Sequence, residues 1–192
     1  LDAFDYAAAL GAIETFFYSR FTDAYIELVK ARARTPGRAT DSARAGLGIA
    51  LHVLLRLFAP FLPFVTEEIW SWAFSEDARR GGGSRAPAVR SIHRAPWPDP
   101  SDLAAVSGPA DRRSFAIATE ALGAIHKEKT LAGLSLGAEV AVAELGCGGA
   151  VLTPLGMVAD DVAAAGRVAA VRVVAEAEGD DTAVVIRQIE FG

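Results

Sequence analysis

Two runs of basic residues carry the most pointed chemistry in this sequence. One is Lys30, Arg32, Arg34 and Arg38; the other is Arg79, Arg80, Arg85, Arg90 and Arg94, and no acidic residue interrupts either. Arginine and lysine at such density neutralise phosphates. Aromatic side chains precede the first run, with Phe16, Phe17, Tyr18, Phe21 and Tyr25 inside ten residues. Flat rings beside cations are what single-stranded or loop RNA needs, because unstacked bases require stacking partners and the backbone requires positive charge. A plainer reading stays open beside it, in which the rings are core and the arginines a solvated face. Phe17 and Phe21 suit the core; Phe16, Tyr18 and Tyr25 suit exposure.

Other chemistries find little support. No P-loop, dinucleotide-binding loop or Gly-x-Ser-x-Gly elbow occurs. Gly146-Cys147-Gly148-Gly149 lacks a following Lys-Ser/Thr and reads as a turn after a strand. Cys147 is the single cysteine, so an internal disulfide and a Cys-rich zinc site are excluded, and it has no evident histidine partner. His52, His93 and His126 lack ligand spacing, and no metal is expected. Glu67-Glu68 is read as cap and surface, since adjacent helical positions diverge. No catalytic residue is assigned.

Composition bounds the class. The chain has 192 residues, 52% hydrophobic and 22% charged, with a net charge of −5. That charge is uneven. Residues 1–98 hold 12 Lys/Arg against 10 Asp/Glu, and residues 99–192 hold 7 against 14. Fourteen of the sixteen aromatic residues also fall before residue 99. The apolar stretch from Leu47 to Val65 is interrupted by His52, Arg56, Pro60 and Pro63, so no membrane span is expected. No signal peptide is recognisable, and a cytoplasmic setting is expected. A start at Leu1 rather than methionine suggests an excised piece.

Periodicity positions these residues. Leu10, Ile13, Phe17, Phe21, Ala24 and Leu28 form a helical stripe, with Asp2 as cap and Pro36-Gly37 as stop. A second helix is expected from Asp41 to Ala59 on Leu47, Leu51, Leu54 and Phe58, and a third from Phe64 to Phe74 after Pro63. Gly81–Ser84 reads as a flexible loop and Val89–His93 as extended. Beyond Pro96, Pro98, Pro100 and Pro109, a helix is expected from Ala110 to Lys129, a strand over Leu136–Leu145 and a short helix over Val158–Ala165 stopped by Gly166. Strands over Val168–Ala175 and Thr182–Ile189 follow, joined as a hairpin by Glu178–Asp181. The expected class is mainly α: an antiparallel helical bundle over 1–98, a Pro-rich linker over 99–109 and a small α+β subdomain over 110–192.

Three segments carry a family resemblance. Phe16-Phe17-Tyr18-Ser19-Arg20-Phe21-Thr22-Asp23-Ala24-Tyr25-Ile26-Glu27-Leu28-Val29-Lys30 resembles the first anticodon-domain helix of the class I valyl-, isoleucyl- and leucyl-tRNA synthetases. Arg56-Leu57-Phe58-Ala59-Pro60-Phe61-Leu62-Pro63-Phe64-Val65-Thr66-Glu67-Glu68-Ile69-Trp70 is similar to the second signature, and Ser91-Ile92-His93-Arg94-Ala95-Pro96-Trp97-Pro98 to the third. Together they cover roughly the first 100 residues in the expected order. The single cysteine argues against the Cys-rich zinc module of isoleucyl enzymes. His126-Lys127-Glu128-Lys129-Thr130-Leu131 and Ala164–Arg167 are most similar to the valyl branch. Two departures stand out: Ala24 replaces a common tryptophan, and no charged heptads resemble the valyl coiled-coil arm.

The resemblance implies tRNA as partner, held at the anticodon stem-loop. Arg20, Lys30, Arg32 and Arg34 are then expected to meet phosphates, Phe16 or Tyr25 to stack on a base, Arg94 to complete the rim, and Lys127 and Lys129 to touch the stem. Trp70 and Trp97 are expected in the core. The His-Ile-Gly-His and Lys-Met-Ser-Lys-Ser signatures of catalysis are absent. ATP with magnesium, valine and editing sites are therefore expected on separate N-terminal catalytic and editing domains, and no cofactor is expected here. An isoleucyl- or leucyl-type domain is the alternative within the family. A structural module that docks against and braces a catalytic core is the alternative outside it.

Overall fold

A computed structural model of the chain describes residues 4–74, 90–103, 106, 108, 110–176 and 183–192, apart from the Arg38 side chain. The chain forms two units, Leu1–Phe21 with Asp41–Ser107, and Thr22–Thr40 with Gly108–Gly192. Residues 22–40, expected with the first domain, thus belong to the second unit. Asp2, the Gly81–Ser84 loop, Arg79, Arg80, Arg85, Pro109 and the Glu178–Asp181 turn lie outside the described residues.

The expected first helix is real but not uniform. α1 (Tyr6–Thr15) is capped by Asp5, whose carboxylate accepts the Ala8 N–H at 2.9 Å. The helix then widens into a π-helix over Phe16–Ile26 and closes with the short α2, Glu27–Val29. The wider i→i+5 turn breaks a stripe laid out at steps of three and four. Accordingly α1 buries none of its residues, whereas Ala24, Leu28 and Val29 are buried farther along.

In the first unit, α3 (Arg38–Phe58) and α4 (Pro63–Ala73) supply the core. Pro60 ends α3, and Pro63 occupies the first turn of α4, where its missing N–H costs nothing. Leu55 and Ala59 of the α3 end pack with Trp70, Phe74 and Ile92. Burying each large member contributes about 1.5–3 kcal/mol. The His52 ring stacks on Trp70 at 5.0 Å and meets Phe74 edge-on at 4.9 Å. Phe17 meets Phe58 edge-on at 5.4 Å. Of the stretch expected to be extended, Val89 lies outside the described residues and Ser91 is extended, but Ile92–Arg94 forms a 3-10 turn, at whose start the Glu67 carboxylate accepts both the Ser91 hydroxyl (3.1 Å) and the Ile92 N–H (2.8 Å). Glu67 is therefore a clamp rather than a surface residue.

In the second unit, α5 (Ser114–Leu131) is followed by β1 (Val140–Cys147), α6 (Gly149–Gly166), β2 (Val168–Ala175) and β3 (Val184–Phe191). The sheet order is β2-β1-β3, with β1 parallel to β2 and antiparallel to β3. The expected β2–β3 hairpin is corrected: β1 lies between them, and β2 is reached through the α6 crossover. β1 takes the centre because Val140, Ala143, Leu145 and Cys147 are all buried. Ile117, Ala121, Leu122 and Ile125 of α5 and Val151, Leu155 and Val162 of α6 are buried alongside.

α6 is much longer than its expected span, because the Gly146–Gly149 stretch is a strand-to-helix junction, not a loop. Pro154 lies inside it and cannot donate to the Ala150 carbonyl one turn back. The Arg113 guanidinium donates to that carbonyl instead, at 3.2 Å. Gly166 ends α6 for reasons of space: a Cβ there would sit 3.3 Å from both Ile125 Cδ1 and Val168 Cγ2. The left-handed residue is Arg167, with φ of 52°.

Candidate nucleic-acid interface

The first unit presents an aromatic and cationic stretch on its π-helical segment. Phe16 is 52% exposed, and Tyr18 is exposed with its ring edge-on to Phe17 at 5.2 Å. Arg20 is exposed and forms no ion pair among the described residues. Arg94 is also exposed, on the 3-10 turn.

Two tryptophans divide against expectation. Trp70 is core, but Trp97 is 48% exposed. The backbone just before Trp97 is tied to a buried cation. The Arg56 side chain, 3% exposed, donates to Asp102 Oδ2 (2.6 Å), to the Pro96 carbonyl (3.3 Å) and to the His52 carbonyl (3.1 Å). Its Nη2 also lies 3.2 Å from His52 Nδ1. Guanidinium has no acceptor, so Nδ1 accepts and the His52 proton sits on Nε2. Asp102 also accepts the Asp99 N–H (3.1 Å), and this bond, then the Arg56 hydrogen bond, holds its carboxyl below the ordinary carboxylate range.

The second unit holds the remaining expected residues, in unequal states. Arg34 and Lys127 are exposed. Tyr25 is half-buried, with its ring 6.2 Å from Phe115. Lys30 bonds Glu27 one turn back. Arg32 pairs with Asp161 at 3.2 Å, and its buried Nε has no partner among the described residues. Burial holds the Asp161 carboxyl above its ordinary range, the Arg32 charge opposing.

Lys129 is corrected outright. It is 0% exposed, and its Nζ donates to three carbonyls, Leu136 (2.9 Å), Ala138 (2.6 Å) and Gly166 (2.7 Å). No carboxylate among the described residues meets it, and burial first, then the charge of Arg167, lowers its amine from the ordinary value. An ammonium tied this way cannot reach a phosphate. Burial, reinforced by Lys129, also lowers the His126 imidazole, while Glu27 opposes.

Sequence reasoning missed Arg56, His52 and Asp161. The i, i+4 spacing of His52 and Arg56 on α3 was a visible sign of the first two; nothing local pointed to Asp161. Among the described residues no group of three His, Cys, Asp or Glu is placed to hold a metal ion, and no helix is long and apolar enough to cross a membrane.

The chain is 43% identical over 166 residues to the valine–tRNA ligase of Thermobifida fusca, covering 86% of the chain and 17% of that enzyme. It is 41% identical over 192 residues to the valine–tRNA ligase of Salinispora tropica, covering 92% of the chain and 20% of the enzyme. To that of Cutibacterium acnes it is 44% identical over 108 residues, covering 54% and 11%. The chain thus spans about a fifth of the length of its most extensively matched relatives. The family model described as the anticodon-binding domain of tRNA ligase matches residues 1–144, three-quarters of the sequence, and the chain belongs to that family.

Proposed function

We propose that this chain receives the anticodon arm of valine tRNA as one region of a cytoplasmic valine–tRNA ligase. The observation that carries the proposal is the exposed Phe16–Arg20 stretch in a chain of the anticodon-binding family. Phe16 stacks on an unpaired base and Arg20 meets its phosphate; on the second unit, Arg34 and Lys127 contact backbone phosphates. Lys30 and Arg32, each held by a carboxylate, contribute less. The helices of the first unit are proposed to form an antiparallel bundle of the class I synthetase type. Activation of valine with ATP and magnesium, and editing, belong to the rest of the longer enzyme, because this chain offers no phosphate loop.

The relatives favour valine over isoleucine or leucine as the tRNA's amino acid. Fluorescence anisotropy with valine, isoleucine and leucine tRNA transcripts tests this, with tightest binding expected for valine tRNA. The double variant Arg20→Ala, Arg34→Ala should weaken binding. Its plot of log affinity against log salt should be shallower by about 1.4–1.8, from about 0.7–0.9 per lost phosphate contact. An unchanged slope rejects these two contacts. Wild-type chain that binds no transcript in a salt-dependent way supports a bracing module instead.

A further inference from the structure

We infer that the segment from Arg90 to Trp97 is a second RNA-contacting surface, on which Trp97 stacks an unpaired base while Arg90 and Arg94 meet the adjoining phosphates. The inference rests on the RNA-binding reading above, and adds a surface to it.

Trp97 is the side chain that sequence patterning would bury first, yet it is half-exposed while its neighbourhood is tightly held. On its N-terminal side, Ile92 is core, Glu67 clamps Ser91 and Ile92, and His93 Nε2 lies 3.2 Å from the Pro63 carbonyl. Ala95 packs against the same core cluster. At the ring itself, Arg56 holds the Pro96 carbonyl, and on the C-terminal side Asp102 joins Arg56 to the Asp99 N–H. Pro96 and Pro98 fix φ on both sides of Trp97 and keep the residue before each in extended backbone. The exposed ring is therefore pre-positioned, and a ligand that stacks on it pays little ordering entropy.

The charge around the ring favours RNA over a protein partner. Arg90 and Arg94 are both exposed donors. The acids nearby are engaged internally: Glu67 by Ser91 and Ile92, Asp102 by Arg56 and Asp99, and Asp99 by the Ser101 N–H at 2.9 Å. The segment thus carries one exposed aromatic ring and two exposed guanidinium groups, while Glu67, Asp99 and Asp102 each accept an internal hydrogen bond, which suits a base and its phosphates.

Anisotropy titrations of the 192-residue chain with a valine anticodon stem-loop RNA, and with a blunt duplex of the same stem, test this. Trp97→Ala should weaken stem-loop binding by ~10-fold, within the range for one stacked base, and leave duplex binding within about twofold. Trp97→Phe, which keeps a ring, should recover most of the affinity, and the stem-loop should quench its remaining tryptophan emission less than that of the wild type. Unchanged affinity in Trp97→Ala, equal loss on the duplex, or undiminished quenching in Trp97→Phe overturns the inference. If those results appear while Arg20→Ala still weakens binding, the function proposed above survives without this surface. A wild-type chain that binds neither RNA overturns both.

Discussion

Lys129→Met is expected to lower the unfolding free energy by about 2–4 kcal/mol, read as a drop in urea midpoint, and to leave the far-UV spectrum of the remaining folded protein unchanged. Methionine fills the volume but donates nothing. The three carbonyls that converge on Nζ lose their donor, and each unsatisfied buried acceptor costs roughly 1–3 kcal/mol. The Leu136 and Ala138 carbonyls belong to residues near the surface, where water offsets part of the loss; the Gly166 bond is wholly buried. Relief from burying an unpaired charge offsets a further part. The lysine ties together the end of α5, the 136–138 approach to β1 and the end of α6, so its loss releases three elements at once.

This site also carries a pH signature of definite sign. The native amine gives up its proton below the ordinary lysine value of 10.5, chiefly through burial. Between the lowered native value and that figure, the unfolded chain holds more protons than the folded one, so this site makes stability rise with pH. Lys129→Met should remove that rise. Lys127→Ala, one turn-fraction away on the exposed side of α5, should leave the urea midpoint within about 0.5 kcal/mol, as surface changes do, and weaken tRNA binding instead.

Element existence was legible wherever an apolar pattern agreed with its boundary residues: α3 before Pro60, α4 after Pro63, and β2 up to Ala175. Three features were not. The π-helical stretch leaves the same residue types in place and changes only the turn, so Phe16–Ile26 looks α-helical in sequence. The sheet order depends on which strand is buried on both sides, and the short apolar runs 140–147, 168–175 and 184–191 differ too little for patterning to rank them. The Glu178–Asp181 turn signalled a reversal but not which strand would be the neighbour. For the candidate site, the family motifs located the region, but which cations are free was a matter of distant partners. Asp161 engages Arg32 from about 130 positions away, and the carbonyls around Lys129 come from two separate segments. The tether on the Pro96 carbonyl likewise comes from Arg56, forty positions earlier.

Arg56→Met is expected to cost about 2–3 kcal/mol and to loosen the Pro-Trp-Pro segment. The variant removes a buried guanidinium and with it the bonds that Arg56 makes to the Asp102 carboxylate, the Pro96 carbonyl and His52 Nδ1. Breaking a fully buried ion pair costs about 3–5 kcal/mol, and the Asp102 side chain, 31% exposed, recovers part of that in water. The acid limb of the stability curve separates this from a simple packing defect. The Asp102 carboxyl is held below its usual range first by the Asp99 N–H and second by Arg56. That contribution to stability is present above about pH 4, the ordinary aspartate value, and is lost as the pH falls through the lowered native one. In Arg56→Met the Asp99 bond remains, so the acid loss should shrink without vanishing, whereas Asp102→Asn should abolish it. With Pro96 untethered, amide exchange at Trp97 and Asp99 should quicken, since tethered backbone near a core opens rarely. RNA affinity should then fall alongside stability. Arg56→Met protein whose acid limb matches wild type, and whose Trp97 amide exchanges at the wild-type rate, would show that the guanidinium does not hold this segment.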